Sequence, residues 1–202
     1  NNQSSRLFNE AYCKSLLSEI GVDTPRNIIV QNRDLLGNLP FDFPVVIKAL
    51  GLSHKTENRG VRLDIKSTEE LKVAFDDMGY REYLIEEMIG DVLIELLVGI
   101  INDPAHGFIF TIASGGTLTE ILSDSISLVV PFTKSEFNEA LKDLKITKVI
   151  DGYRGSKAIN MEQLIQNIFK LQEFVVKNSR ELSELEINPF LIKAIDGRPI
   201  KN

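Results

Sequence analysis

Residues 43–65 decide the reading of this chain. They run Phe43-Pro44-Val45-Val46-Ile47-Lys48-Ala49-Leu50, then a polar stretch, 51–59, that carries His54-Lys55-Thr56, then Gly60-Val61-Arg62-Leu63-Asp64-Ile65. The outer blocks are rich in β-branched and apolar residues and read as strands. Together they predict a hairpin-like pair joined by a long polar loop. The first strand has a lysine inside it. An ammonium there needs water, a partner or a ligand, because burying it unpaired is costly. Lys48 is therefore either an edge-strand lysine facing solvent or a point charge set against a phosphate. His54 follows on the loop. Imidazole is a competent nucleophile near neutral pH, although a lone loop histidine is more often plain surface.

Working outward, Leu7, Phe8, Ala11, Tyr12, Leu16, Leu17 and Ile20 fall near helical spacing, with Gly21 where a helix stops. This predicts a helix over 6–20. A short β-branched strand is expected at 27–31, and a turn-rich connection at 35–42. Ser67 with Glu70 is a capping-box pattern ahead of a helix at 69–78. A β-rich block follows, with strands at 82–89, 92–101, 108–113, 119–122 and 127–130 and turns at Gly90-Asp91 and 102–107. Thr133 with Glu136 repeats the capping box before a helix at 134–144. Asn160 opens an amphipathic helix with Leu164, Ile165, Ile168, Leu171, Phe174 and Val175 on one face. Strands at 182–187 and 190–194 close the chain. No repeat or low-complexity tract interrupts it. The order predicts an α+β architecture of two small lobes, a boundary near residue 90 and a crevice between them.

Composition bounds the function. The chain has 202 residues, 43% hydrophobic and 26% charged, enough apolar surface for a packed core. Its 23 basic and 29 acidic residues give a net charge of −6, the opposite of the basic excess of a nucleic-acid binder. Local clusters can still take anions. A single cysteine, Cys13, excludes an internal disulfide framework and a cysteine-cluster zinc site, and fits a reducing compartment. No apolar run reaches about 18 residues, so no membrane span is expected. Residues 1–5 are polar, without an apolar signal segment, and read as a linker.

Four further stretches could carry chemistry, each with a plain alternative. In Ser114-Gly115-Gly116-Thr117 paired glycines let successive N–H groups point at one anion, yet such loops are common. Glu120, just beyond, could be an ordinary surface carboxylate. Glu86-Glu87-Met88-Ile89 ends a strand at the lobe boundary, where a carboxylate and backbone groups could take an adenine amine and a ribose, or simply face water. In Glu186-Ile187-Asn188-Pro189 the acid and the amide lie two apart on one side of a strand. That suits Mg²⁺, which wants hard oxygens and keeps water and phosphate as its other ligands, but Glu-x-Asn is frequent. Arg154, within Asp151-Gly152-Tyr153-Arg154-Gly155, is either a phosphate contact or part of a surface turn. His106, beside Pro104 and Gly107, reads as a turn residue.

In this order the stretches resemble the ATP-grasp domain of the NDP-forming (ADP-forming) acyl-CoA synthetases, relatives of the succinyl-CoA synthetase β subunit. The resemblance covers nearly the whole chain. It begins with Asn9-Glu10-Ala11 and Gly21, continues through Lys48, His54-Lys55-Thr56-Glu57, Gly60-Val61, Glu86-Glu87-Met88 and Glu95-Leu96-Leu97-Val98-Gly99, and ends with Ser114-Gly115-Gly116, Thr119-Glu120, Gly152-Tyr153-Arg154-Gly155 and Glu186-Ile187-Asn188-Pro189. It implies an ATP-grasp fold, with a small nucleotide-binding lobe at about 25–90, a larger lobe at about 91–202 that the 6–20 helix packs on, and the nucleotide cleft between them. It implies the reaction acid + CoA + ATP ⇌ acyl-CoA + ADP + Pi, with ATP/ADP and Mg²⁺ as cofactors and His54 as phosphoryl carrier. Lys48 and Lys55 would meet the nucleotide, Glu86, Glu87, Met88 and Ile89 the adenosine, and Glu95 the ribose or metal side. Ser114, Gly115 and Gly116 would cradle the moving phosphate. Glu120 and Arg154 would orient the phosphohistidine, and Glu186 and Asn188 would bind the metal.

The implied partner is a CoA-binding subunit, or an N-terminal domain of the same synthetase, that holds most of the acyl-CoA. An oligomer in the cytoplasm, with no nucleic acid or membrane as partner, completes the expectation. Three features depart from the family pattern. Arg59 stands where a glycine is usual before Gly60-Val61. The stretch between Pro25 and Pro44 is short, so a small helix there is expected to be missing. Asn202 falls near the place of a second metal carboxylate. These departures leave two other readings open: a nucleotide-binding regulatory module of a fused protein acetyltransferase, and another ATP-grasp carboxylate ligase with no need of His54.

Overall fold

A computed structural model describes residues 7–51, 60–115, 124–146 and 159–193. By contact the chain divides into Asn1–Ile89 and Gly90–Asn202.

The first unit opens with α1 (Glu10–Glu19), capped by the Asn9 side chain, which accepts the Tyr12 N–H at 2.9 Å. Strands β1 (Asn27–Val30), β2 (Val45–Ala49), β3 (Val61–Ile65) and β4 (Tyr83–Glu87) form one antiparallel sheet in the order β1-β4-β2-β3. The long-looped pair expected from the sequence is β2 and β3, directly hydrogen-bonded. Helix α2 (Thr68–Met78) starts on the Ser67 cap and ends at Gly79, whose φ of 67° suits a residue without Cβ. Between β1 and β2 a 3-10 turn (Arg33–Gly37) stands where a helix was expected to be missing, and it buries Leu36 completely. One face of the sheet carries Val45, Ile47, Tyr83 and Ile85 into a core with Leu36, Leu71 and Ala74. Alternation then puts Val46, Lys48, Leu84 and Glu86 on the other face, where Glu86 lies opposite Val46 and Leu84 opposite Lys48.

The second unit is built on β5 (Val92–Asp103), β6 (Gly107–Ser114), β7 (Ser125–Val129) and β8 (Glu184–Lys193), antiparallel in the order β7-β6-β5-β8. Helices α3 (Lys134–Leu141) and α4 (Met161–Lys177) supply the rest of its described secondary structure. Ile94, Leu96, Val98, Ile100, Phe110 and Ile112 form the buried sheet face. Phe132 joins this layer to the helices, with ring centroids 5.2 Å from Phe110, 5.8 Å from Phe137 and 5.7 Å from Phe169. Gln172 of α4 closes on the Phe132 backbone, donating to its carbonyl at 3.1 Å and accepting its N–H at 2.8 Å. These contacts leave the opposite face of the sheet to other uses.

Several expectations changed in detail. Helix α3 stops at Leu141 rather than 144, and β7 begins at Ser125 rather than 127. The two closing strands are one. Asn188 and Pro189 do not break β8 but sit in a register shift opposite Leu97, so the proline's missing N–H falls where the ladder already slips. The strand expected at 119–122 lies outside the described residues. Helix α1, expected against the later lobe, is tied by ion pairs to Lys48 and Glu86 of the first unit.

Candidate functional site

Lys48 is neither an open edge lysine nor alone. It sits on an inner strand, and its ammonium contacts two carboxylates: Glu10 of α1, at 2.8 Å, and Glu86 of the neighbouring strand β4. Lys14, one helical turn after Glu10, contacts the same two, Glu10 at 3.0 Å and Glu86 directly. The four groups close a ring in which each cation touches both anions. Their side chains are largely covered, from 6% exposed at Glu86 to 27% at Glu10. Burial alone would push the Lys48 pKa down. The Glu86 and Glu10 charges and their hydrogen bonds outweigh it and hold the ammonium above its ordinary value. The lysine is thus kept charged in a place where water is scarce.

The next residues turn to different partners. The Glu87 carboxylate accepts the Arg26 backbone N–H at 2.8 Å and the Arg26 Nε–H at 2.8 Å, tying the end of β4 to the entry of β1. Met88 is exposed, and its N–H donates to the Pro44 carbonyl at 3.0 Å. Ile89 is half-buried and closes the first unit.

In the second unit, Ser114 is 2% exposed and faces inward. Its hydroxyl donates to Asp124 Oδ2 at 2.9 Å, and its N–H to the Asp124 carbonyl at 3.0 Å. Asp124 also accepts the N–H groups of Lys145, at 2.7 Å, and Ile146, at 3.0 Å. Burial pushes this carboxyl's pKa up, but the hydrogen bonds from Lys145, Ile146 and Ser114 prevail and hold it below the ordinary range. One buried carboxylate therefore clamps the end of β6, the start of β7 and the turn after α3. Gly115 passes so close to β5 that its N–H donates to the Glu95 carbonyl at 2.7 Å, and a Cβ there would lie 2.8 Å from that oxygen.

The open face of the second sheet carries the remaining candidates. Register places Ser127, Thr111, Gly99 and Glu186 side by side across β7, β6, β5 and β8. Glu95 is exposed on the same face of β5 as Gly99. Glu186 and Asn188 are both exposed, alternating with the half-buried Leu185 and Ile187. Two hard oxygen donors two residues apart on the exposed side of β8, with Gly99 opposite Glu186, fit a Mg²⁺ that takes one or two protein ligands. Among the described residues no cluster of three or more His, Cys, Asp or Glu could hold a metal by itself. His106 behaves as a turn residue, with its ring nitrogen 2.8 Å from Asp103.

The structure thus brings Lys48 and Glu86 together and sets Glu95, Glu186 and Asn188 on one sheet face. His54, Lys55, Arg59, Gly116, Glu120, Arg154 and Asn202 lie outside the described residues. The sequence reading assigned no role to Glu10, Lys14 or Asp124. The first two carried a signal, an acid and a base four apart on a helix. Asp124 carried none, since its partners are 10, 21 and 22 positions away.

Comparison with known proteins places these features. A family model described as an ATP-grasp domain matches residues 1–197. The β subunit of the ADP-forming acetate–CoA ligase I of Pyrococcus furiosus is 30% identical over 215 residues, covering 97% of this chain and 92% of that subunit. The ADP-forming acetate–CoA ligase of Methanocaldococcus jannaschii is 26% identical over 91% of this chain, which spans 28% of that longer protein. Among solved structures, the dinucleotide-forming acetyl-coenzyme A synthetase 1 of Ca. Korarchaeum cryptofilum, with coenzyme A and Mg-AMPPCP and its phosphohistidine segment pointing towards the nucleotide binding site, superposes with a TM-score of 0.77. It is 25% identical, over 91% of this chain and 85% of that one. The α+β architecture is the ATP-grasp fold, and the chain belongs to the ATP-grasp family, with the β subunits of ADP-forming acetate–CoA ligases among its relatives.

Proposed function

We propose that this chain is the nucleotide-binding and phosphoryl-transfer part of an ADP-forming acyl-CoA ligase, catalysing with a partner acid + CoA + ATP ⇌ acyl-CoA + ADP + Pi. In the acyl-CoA-consuming direction, phosphate displaces CoA from the acyl group on a CoA-binding subunit or domain. The acyl phosphate passes its phosphoryl group to a histidine there, then to His54 of this chain and finally to ADP. Transfer of this kind asks the protein mainly for alignment and charge neutralisation. Lys48 supplies a permanent positive charge for the nucleotide's phosphates, assisted by Lys55. Glu86 and the backbone of 87–89 take the adenosine, and Glu95 the ribose or metal side. Gly116 offers its backbone N–H to the moving phosphate, with Ser114 and Gly115, whose N–H groups are bonded to Asp124 and Glu95, as the anchored end of that loop. Glu120 and Arg154 orient the phosphohistidine. Glu186 and Asn188 would hold Mg²⁺, which would neutralise phosphate oxygens. A cytoplasmic oligomer follows from the need for ATP, CoA and a partner subunit. No helix among the described residues is long and apolar enough to cross a membrane.

The observation that carries this reading is the charged, mostly covered Lys48, in a chain aligned over 97% of its length with a β subunit of this ligase class. The test is incubation of the chain, with its CoA-binding partner present, with radiolabelled Mg-ATP. Acid-labile label on the wild type, lost in His54→Ala while nucleotide binding persists, supports the relay. Equal labelling of His54→Ala removes the carrier role. Nucleotide binding with no label at all favours the regulatory module.

A further inference from the structure

The closed ring around Lys48 poses a problem for any ligand that needs this lysine. A lysine held between two carboxylates is already satisfied, and its departure would leave those carboxylates, Glu86 above all, largely out of water and short of one cation. It would do so as a polyanion approaches. The ring contains its own remedy. Lys14 touches both of the acids that Lys48 touches, from a different element, and is 14% exposed. We propose that Lys14 is a positioning residue for nucleotide binding, the standby counter-ion that lets Lys48 leave Glu10 and Glu86 for the nucleotide's phosphates. The inference rests on the reading above that Lys48 meets those phosphates.

The geometry gives the two residues of α1 opposite effects. Glu10 competes with the nucleotide for Lys48, and Lys14 competes with Lys48 for the acids. With Lys14 absent, three groups remain, one cation between two anions, and Lys48 is both held more tightly and more costly to remove. With Glu10 absent, Lys48 keeps only Glu86, which Lys14 also covers, and the local charge turns positive. A ring that served folding alone would predict the same sign for both losses, since each breaks two ion pairs.

The experiment is calorimetric titration of the full chain with Mg-ADP, accompanied by thermal unfolding of each variant. Lys14→Gln is expected to weaken binding about tenfold, and Lys14→Arg to restore most of it. Glu10→Gln is expected to bind as tightly as the wild type or tighter. The double variant, which removes one charge of each sign, is expected to return close to wild type. Lys14→Gln binding within about twofold of wild type overturns the proposal, and so does Glu10→Gln weakening binding as Lys14→Gln does. If Lys14→Gln does not fold, the sign of Glu10→Gln and the recovery in the double variant decide. Lys48→Met separates the two levels. Loss of Mg-ADP binding there, with Lys14→Gln unaffected, refutes the standby role alone. A wild type that binds no Mg-ADP, or Lys48→Met that binds it as well as wild type, refutes the functional reading and this inference with it.

Discussion

Replacing Asp124 by alanine tests the claim that one buried carboxylate organises the second unit's loops. The side chain accepts hydrogen bonds from the Ser114 hydroxyl and from the Lys145 and Ile146 N–H groups, at 2.9, 2.7 and 3.0 Å. Bonds to a charged acceptor contribute about 1.5–3 kcal/mol each in favourable settings, and stranding their donors costs about 1–3 kcal/mol per buried group. Ser114 is fully enclosed, but Lys145 is exposed and its N–H can recover a water. A net loss of roughly 2–4 kcal/mol follows. Asparagine keeps one acceptor oxygen and sets an NH₂ against donors, so its loss should be smaller, about 1–2 kcal/mol. The sign with pH is fixed by the lowered pKa. The carboxylate's contribution is present above its unfolded value and is lost as pH falls through the depressed folded value. Asp124→Asn should therefore narrow its deficit relative to wild type as pH drops below the ordinary carboxylate range. The chain has no tryptophan, so circular dichroism through a urea titration is the suitable assay. A loss under about 1 kcal/mol for Asp124→Ala, or a deficit independent of pH on the acid side, would refute the reasoning.

Three other outcomes are expected. Gly115→Ala would place a Cβ 2.8 Å from the Glu95 carbonyl oxygen and 2.9 Å from its carbon; backbone cannot yield as a side-chain tip can, so about 1–3 kcal/mol of stability should be lost, together with weaker Mg-ADP binding in calorimetry. Phe137→Ala removes a fully buried ring stacked on Phe132, and denaturant unfolding should show a loss of about 3–5 kcal/mol. Glu186→Gln combined with Asn188→Ala should raise the Mg²⁺ concentration needed for half-maximal nucleotide binding by about tenfold or more, with little change in thermal unfolding, because both side chains are exposed. Unchanged Mg²⁺ dependence would move the metal elsewhere.

The sequence by itself determined most of the element order and the helix caps. Ser67, Thr133 and Asn160 cap as their spacing predicts, because a cap is an interaction between residues two or three apart; Asn9, expected inside a 6–20 helix, is instead the cap of a helix that starts at Glu10. Burial alternates strictly along β6, whereas Val45, Val46 and Ile47 of β2 are all buried, so the apolar run of β2 did not by itself say which face meets the core. Chain-local patterns also put Glu186 and Asn188 on one side of a strand. Tertiary structure decided what locality cannot reach. It joined two expected strands into β8 by absorbing Asn188-Pro189 in a register shift against β5. It turned Ser114 inward, onto an aspartate ten positions away, although its glycine context suggested an outward cradle. It left the Lys48 side chain 19% exposed between two acids from separate elements, where the strand alone left water, a partner and a ligand all open. The physical reason is that a charge's state depends on its neighbours within a few ångströms, and here Glu10 stands 38 positions from Lys48 and Glu86 stands 72 positions from Lys14.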